Sequence, residues 1–144
     1  MGKRDKTDIV YEDDWADLML LAYDGGGRPG ELAYDPHEPV RAALAASPRT
    51  DLTPDVLDAM ADDRSPRVRA ALAGRDGLSE DLVERLSWDA DPRVLAALAS
   101  RRALPDALRS RLARCADPRV QAALGDVRTS MLLDDLGFRG SCDA

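Results

Sequence analysis

Arginine is the residue type whose spacing in this sequence could support binding chemistry. Arg67, Arg93 and Arg119 each follow a proline at the same place in a repeated segment, as the second residue of a predicted helix. A cation near a helix N-terminus opposes the helix dipole, at a cost of roughly a few tenths of a kcal/mol. Three such placements in register indicate a shared role. With Arg41 and Arg69 they are predicted to form a five-arginine row along one edge of the repeats.

Two roles are open for the five-arginine row. The guanidinium groups could pair with acids of a neighbouring repeat, such as Asp63, Asp89 or Asp91, and so fix how the repeats stack. Alternatively, they could present planar pairs of donors to the carboxylates of an acidic partner. The acidic N-terminus of this chain is itself a candidate for that partner.

The other reactive residue types offer little for catalysis. The single histidine, His37, is expected to be an exposed residue at the start of a helix, since the sequence suggests no partner that would orient it as a base. Cys115 is assigned to packing at the end of a helix, and Cys142 to a mobile tail. One histidine and two distant cysteines give no zinc-binding spacing. We therefore predict no enzymatic activity, no catalytic residues, no cofactor and no metal.

Adjacent acids are frequent but have a simpler explanation. They lie mostly at predicted helix starts or ends, where capping and solubility account for them. None follows the order of an EF-hand loop, so calcium binding is not supported. The pairs are Asp13–Asp14, Asp62–Asp63, Glu80–Asp81 and Asp134–Asp135.

Composition limits the classes of function. The chain has 144 residues and a formal net charge of −7, with a sequence pI near 4.7. Residues 1–39 contribute 4 basic and 10 acidic side chains, against 16 and 17 in residues 40–144. This balance argues against general nucleic-acid binding, because such proteins need a basic surface. There is no membrane-spanning run and no signal-peptide pattern. Two cysteines make no disulfide framework, although they could pair, and a reducing cytoplasmic location is expected.

The sequence repeats itself. Four segments share the pattern Val-x-Ala-Ala-Leu-Ala/Gly and begin at valines spaced 28, 26 and 26 residues apart: Val40, Val68, Val94 and Val120. A leucine recurs every 26 residues as Leu52, Leu78 and Leu104. The first repeat therefore carries two extra residues between Leu44 and Leu52. A fixed period in this range is the signature of a solenoid.

Each repeat is predicted to contain two helices. The first begins at Ser65, Asp91 or Asp117, where a capping side chain precedes a proline. It is expected to be about two turns long. The second begins near Thr53 or Ser79 and continues with leucines and valines at helical spacing. In the third copy Pro105 precedes the helix without an obvious cap.

The ends of the repeat array are assigned to capping elements, which solenoids need to cover exposed core. A helix over about residues 13–23 is expected at one end, and Met131 to Leu136 at the other. Gly25–Gly27 is interpreted as a flexible joint. The domain prediction is an acidic N-terminal segment with a capping helix over 1–31, a helical-repeat solenoid over 32–138 and a flexible tail over 139–144. Tyr34 and Trp88 share one repeat position and are assigned to packing between repeats, with an interface anchor as the alternative.

The repeat resembles the leucine-rich repeat variant family, a helical-repeat solenoid related in style to HEAT and armadillo repeats. The motif that carries the resemblance is Asp-x-Asp/Ser-Pro-x-Val-Arg-x-Ala-Leu-Ala with a leucine-rich second half, over roughly residues 32–136. The resemblance implies an all-α, right-handed superhelix in which α-helices alternate with 3₁₀-helices. Some relatives carry a cysteine-ligated iron–sulfur cluster ahead of the repeats. This chain has no cysteine before Cys115, so the cluster is not carried over.

The fold class leads to one main function hypothesis and two alternatives. The main hypothesis is a non-enzymatic interaction or scaffold module that binds another protein through the solenoid surface. One alternative is a small acidic immunity or inhibitor protein that acts through its N-terminal segment. The other is a nucleic-acid binder that holds phosphates on the five-arginine row.

Overall fold

A computed structural model describes residues 15–125, and within this range the chain is all-helical, without strands. The helices are α1 (Trp15–Asp24), α2 (Pro29–Leu32), α3 (Glu38–Ala46), α4 (Pro54–Ala61), α5 (Pro66–Ala73), α6 (Glu80–Leu86), α7 (Pro92–Ala99), α8 (Asp106–Leu112) and α9 (Pro118–Ala123). No helix in the described range has the length and apolarity to cross a membrane.

The first helix of each later repeat begins where the sequence predicts. The side chains of Ser65, Asp91 and Asp117 each accept a hydrogen bond from the backbone N–H two residues ahead. A proline follows each cap, at the position where its missing N–H leaves no hydrogen bond unmade. The polar cap and the proline together fix the first residue of α5, α7 and α9.

The second helices follow the same logic with one exception. Thr53 caps α4 and Ser79 caps α6 through hydrogen bonds from Val56 and Leu82. As predicted, α8 has no side-chain cap, and Pro105 precedes its first residue. The N-termini of these helices are thus set by short local signals.

The helices pack mainly on their neighbours. The odd-numbered helices form a continuous series in which α1 packs on α3, α3 on α5, α5 on α7, and α7 on α9. The repeated valines lie in this layer and are fully buried, as are Leu44, Leu72 and Leu98. Burying one such side chain contributes roughly 1.5–3 kcal/mol relative to leaving it exposed. Each repeat therefore inserts the same apolar residues between two neighbouring helices.

The structure tests the predicted lengths, types and positions of the helices. The first helices α5 and α7 have 8 residues each, which is about two turns, as predicted. The implied alternation with 3₁₀-helices is absent from residues 15–125, where every helix is α-helical. A helix is present within the range predicted for the N-terminal capping helix, as α1. Residues 13 and 14 of its predicted range, the tail from Met131 to Leu136, and Cys142 lie outside the described residues.

Candidate functional site

Three of the five predicted arginines form an exposed row. Arg67, Arg93 and Arg119 lie in the first turns of α5, α7 and α9, at one end of helices that pack side by side. The side chains of Arg67 and Arg93 are 63% and 54% exposed. Arg119 is also exposed, and it forms no ion pair with any residue of the described range. We call these three residues the outer row.

The outer row is only weakly held by its own surroundings. Arg67 Nη1 lies 3.7 Å from Glu38 Oε1, in the first turn of α3. Arg93 donates to its own helix cap, with Nε 3.0 Å from Asp91 Oδ1 and Nη2 2.9 Å from Oδ2. Hydrogen bonding to Asp91 raises the pKa of Arg93. Exposed ion pairs of this kind contribute only about 0–1 kcal/mol.

Arg41 does not belong to the exposed row. Its Nε and Nη2 lie 2.7 and 3.2 Å from the two carboxylate oxygens of Asp63, and its Nη1 donates to the carbonyl of Asp35 at 2.8 Å. Both charged side chains are only 7% exposed. The hydrogen bonds that Arg41 donates to Asp63 raise the pKa of Arg41. This guanidinium group joins two repeats and is buried between them, so it is not presented to a partner's carboxylate.

Arg69 repeats the arrangement one repeat later. Its Nε lies 2.6 Å from Asp89 Oδ2, its Nη2 3.3 Å from Oδ1, and its Nη1 2.6 Å from the carbonyl oxygen of Asp63. We call Arg41–Asp63 and Arg69–Asp89 the inner pairs. Asp63 and Asp89 are acids that the sequence analysis nominated as inter-repeat partners. The acids also accept the backbone N–H groups of Ser65 and Asp91, so each carboxylate is held from two sides.

Helix geometry explains why Arg67 and Arg69 have different roles. An α-helix turns about 100° per residue, so side chains two positions apart point about 200° apart. Arg67 therefore points toward solvent while Arg69 points toward the next repeat. Treating the five arginines as one row was wrong for Arg41 and Arg69 for this reason.

A further set of arginines caps the C-terminal ends of odd-numbered helices. The sequence analysis did not single them out. Arg75 Nη1 donates to the carbonyls of Ala45 and Ser47, and Arg101 Nη1 donates to those of Ala73 and Arg75 at 3.0 and 2.5 Å. The last carbonyls of a helix have no partner within the helix, and its C-terminus favours cations. Burial lowers the pKa of Arg75. These bonds connect each repeat to the preceding one.

Arg49 plays the same part for α1. Its Nη1 and Nη2 donate to the carbonyls of Gly26 and Gly27 at 2.6 and 3.1 Å, and its Nε lies 2.9 Å from Asp51 Oδ1. The glycine segment interpreted as a flexible joint is thus hydrogen-bonded to the first repeat. We call Arg49, Arg75 and Arg101 the carbonyl row. The three arginines recur every 26 residues, each three residues before Leu52, Leu78 or Leu104, so the repeat period marks their equivalence in the sequence.

The second helices are joined by ion pairs at their surface. Arg85 of α6 contacts Asp58 at 3.4 Å and also Asp62. Arg111 of α8 contacts Glu84 at 2.9 Å, and its guanidinium carbon lies 4.1 Å from the ring centre of Trp88. Hydrogen bonds from Arg111 and Trp88 lower the pKa of Glu84.

The recurrent aromatic position is a surface position. Tyr34 is 75% exposed and Trp88 is 59% exposed. The prediction that they pack between repeats is wrong for Tyr34, whereas Trp88 contacts Arg111 of the next repeat while remaining largely exposed. Trp88 is held there by a hydrogen bond from its indole nitrogen to Glu84 and by Arg111.

His37 has a partner that the sequence analysis did not anticipate. Its Nδ1 lies 3.0 Å from Asp35 Oδ1, which also accepts the His37 backbone N–H at 2.8 Å. The imidazole stacks on Trp15 with ring centres 6.4 Å apart. His37 occupies the N-cap position of α3, as expected of a residue at a helix start. Among residues 15–125 no group of three or more His, Cys, Asp or Glu side chains is arranged to hold a metal ion.

Comparison of the chain with family models, curated proteins and solved structures finds no match. The resemblance to the leucine-rich repeat variant family therefore rests on the repeat motif alone.

Proposed function

We propose that this chain is a non-enzymatic protein-interaction module, a right-handed helical-repeat solenoid that binds an acidic partner protein through the outer row. The observation that carries the proposal is a difference in exposure among arginines at three different positions of the repeat. The guanidinium groups of the inner pairs and of the carbonyl row donate to groups within the chain. Those of Arg67, Arg93 and Arg119 remain at the surface, in register on three neighbouring helices.

Electrostatics favour an anionic partner at the edge of the helices where the outer row lies. The N-termini of α5, α7 and α9 lie there, and each carries the partial positive charge of its helix dipole. Guanidinium groups bind carboxylates through two parallel hydrogen bonds, which gives both strength and direction. The edge therefore offers exposed guanidinium donors on a chain whose net charge is −7.

Charge reversal at one residue of the outer row tests the proposal. Arg119→Glu is compared with Arg102→Glu, since both arginines are exposed and the two variants change the net charge equally. Arg102 follows α7 and so lies beyond the opposite end of the first helices. Proteins that bind the wild-type chain in affinity capture are purified. Their affinities for the wild type and for each variant are then measured by calorimetry.

The proposal predicts that Arg119→Glu weakens binding of a captured protein at least tenfold and that Arg102→Glu leaves it within about twofold. Circular dichroism confirms that both variants remain helical. Equal binding by the wild type and Arg119→Glu, or equal losses in the two variants, would exclude the outer row as the binding surface. If a nucleic acid competes for the outer row at moderate salt and no protein does, the nucleic-acid alternative replaces the proposal.

A further inference from the structure

We infer that the partner contacts the outer row with an extended acidic segment that carries a carboxylate at about every third residue. In the complex its carboxylates replace Glu38 and Asp91 as the ion-pair partners of Arg67 and Arg93, and another binds Arg119. This inference rests on the proposed function and specifies the chemistry of the partner.

The spacing follows from how the helices pack. Arg67, Arg93 and Arg119 occupy the same position on α5, α7 and α9, and each of these helices packs directly on the next. Packed helices are separated by about 8–10 Å. An extended segment in the polyproline II conformation advances about 3.1 Å per residue with three residues per turn, so three residues cover one interval and every third side chain points to the same side. A segment with acids at every third position therefore matches the outer row along its length.

Glu38 and Asp91 occupy the positions of partner carboxylates in the unbound chain. The contact between Arg67 and Glu38 is long, at 3.7 Å, and both side chains are substantially exposed. Asp91 holds Arg93 with both carboxylate oxygens. A carboxylate of the partner must displace Glu38 from Arg67 and Asp91 from Arg93. Arg119 forms no ion pair within residues 15–125, so no such displacement is needed there. Removing either internal acid should therefore strengthen binding.

The preceding repeat shows which residue can replace Asp91 while keeping the helix cap. Ser65 stands at the equivalent position of the preceding repeat and caps α5 through the same type of hydrogen bond, from the N–H of Arg67. The Asp91 carboxylate is thus not required for capping, and serine at this position keeps a cap for α7. Asp91→Ser frees the Arg93 side chain while leaving the helix start in place.

Two fluorescent decapeptides serve as probes, with the same composition and net charge. One has aspartates at every third position, and the other has the same aspartates in one block. Their affinities for the full chain are measured by fluorescence anisotropy, for the wild type and for Glu38→Gln, Asp91→Ser and Arg119→Gln. Circular dichroism verifies the fold of each variant.

The spaced peptide should bind at least threefold more tightly than the block peptide. Glu38→Gln and Asp91→Ser should each strengthen its binding about two- to fivefold, which corresponds to the loss of one exposed ion pair. Equal binding of the two peptides, or no gain in either variant, overturns this inference. If Arg119→Gln also leaves the affinity unchanged, the proposed function fails with it, so the two failures are distinguishable.

Discussion

Leu95 lies in α7 at the position that Arg69 occupies in α5. The residue that pairs with Arg69 is Asp89, and its equivalent in the next repeat is Cys115. Both members of the inner pair have therefore been replaced at the junction between α7 and α9. Leu95 is buried there, 2% exposed. The packing of two repeats does not require the ion pair, but a carboxylate placed at such a junction needs its arginine, because an isolated buried charge is costly.

Removing one member of an inner pair should lower the free energy of unfolding more than removing both members. Arg69→Leu leaves Asp89 without its cation, and we expect the free energy of unfolding to fall by about 3 kcal/mol. Adding Asp89→Asn removes the unpaired charge and keeps an acceptor for the Asp91 backbone N–H, so the double variant should recover at least half of the loss. Urea unfolding followed by circular dichroism, with Asp89→Asn alone completing the cycle, measures the coupling. Additive losses would contradict this account.

Local signals were sufficient to predict where helices begin. Ser65, Asp91 and Asp117 act as caps because a polar side chain followed by proline leaves few alternatives to a helix start. The buried valines and leucines were equally predictable, since their spacing defines one face of a helix.

The roles of individual arginines could not be predicted from their positions in the repeat. Arg67 and Arg69 share a sequence motif, but their side chains point about 200° apart on one helix. Arg75 and Arg101 bond to carbonyls about 26–30 residues earlier in the sequence, so only the packing of successive repeats brings donor and acceptor together. The Asp35–His37 contact, by contrast, spans two residues and depends on the turn that precedes α3.

The carbonyl row should contribute measurably to stability. Arg75→Met keeps most of the aliphatic side chain but leaves the carbonyls of Ala45 and Ser47 without the guanidinium donor. We expect a loss of about 1–3 kcal/mol, which is the usual cost of an unsatisfied buried polar group. Arg102→Met is the matched control, because Arg102 is exposed and should tolerate the change within about 0.5 kcal/mol. Equal stability of the two variants in urea unfolding would show that Arg75 has no such role.

The joint after α1 should be sensitive to substitution at Gly27. This residue has a φ of +69°, and an added Cβ would lie 2.9 Å from a methyl carbon of the buried Leu32. Gly27→Ala should therefore destabilise the chain by about 1 kcal/mol or more, from backbone strain together with the close contact. At Gly30, in α2, an added Cβ meets nothing within 4 Å. Gly30→Ala should be neutral or slightly stabilising. Thermal unfolding of both variants checks the contrast, and a loss at Gly30 equal to that at Gly27 would refute it.

The contribution of the Asp91–Arg93 contact to the stability of the fold should decrease at acidic pH. Hydrogen bonding from the Arg93 side chain lowers the pKa of Asp91 below the ordinary aspartate value. A carboxyl whose pKa is lowered on folding stabilises the folded state fully above its unfolded pKa, near 4, and loses that contribution as the pH falls through the folded pKa. Wild type should thus be more stable than Asp91→Ser at pH 7, and the difference should shrink below about pH 4. Chemical unfolding of both proteins from pH 7 to pH 3 measures this difference. A difference that stays constant or widens in acid would show that the Asp91 charge does not stabilise the fold.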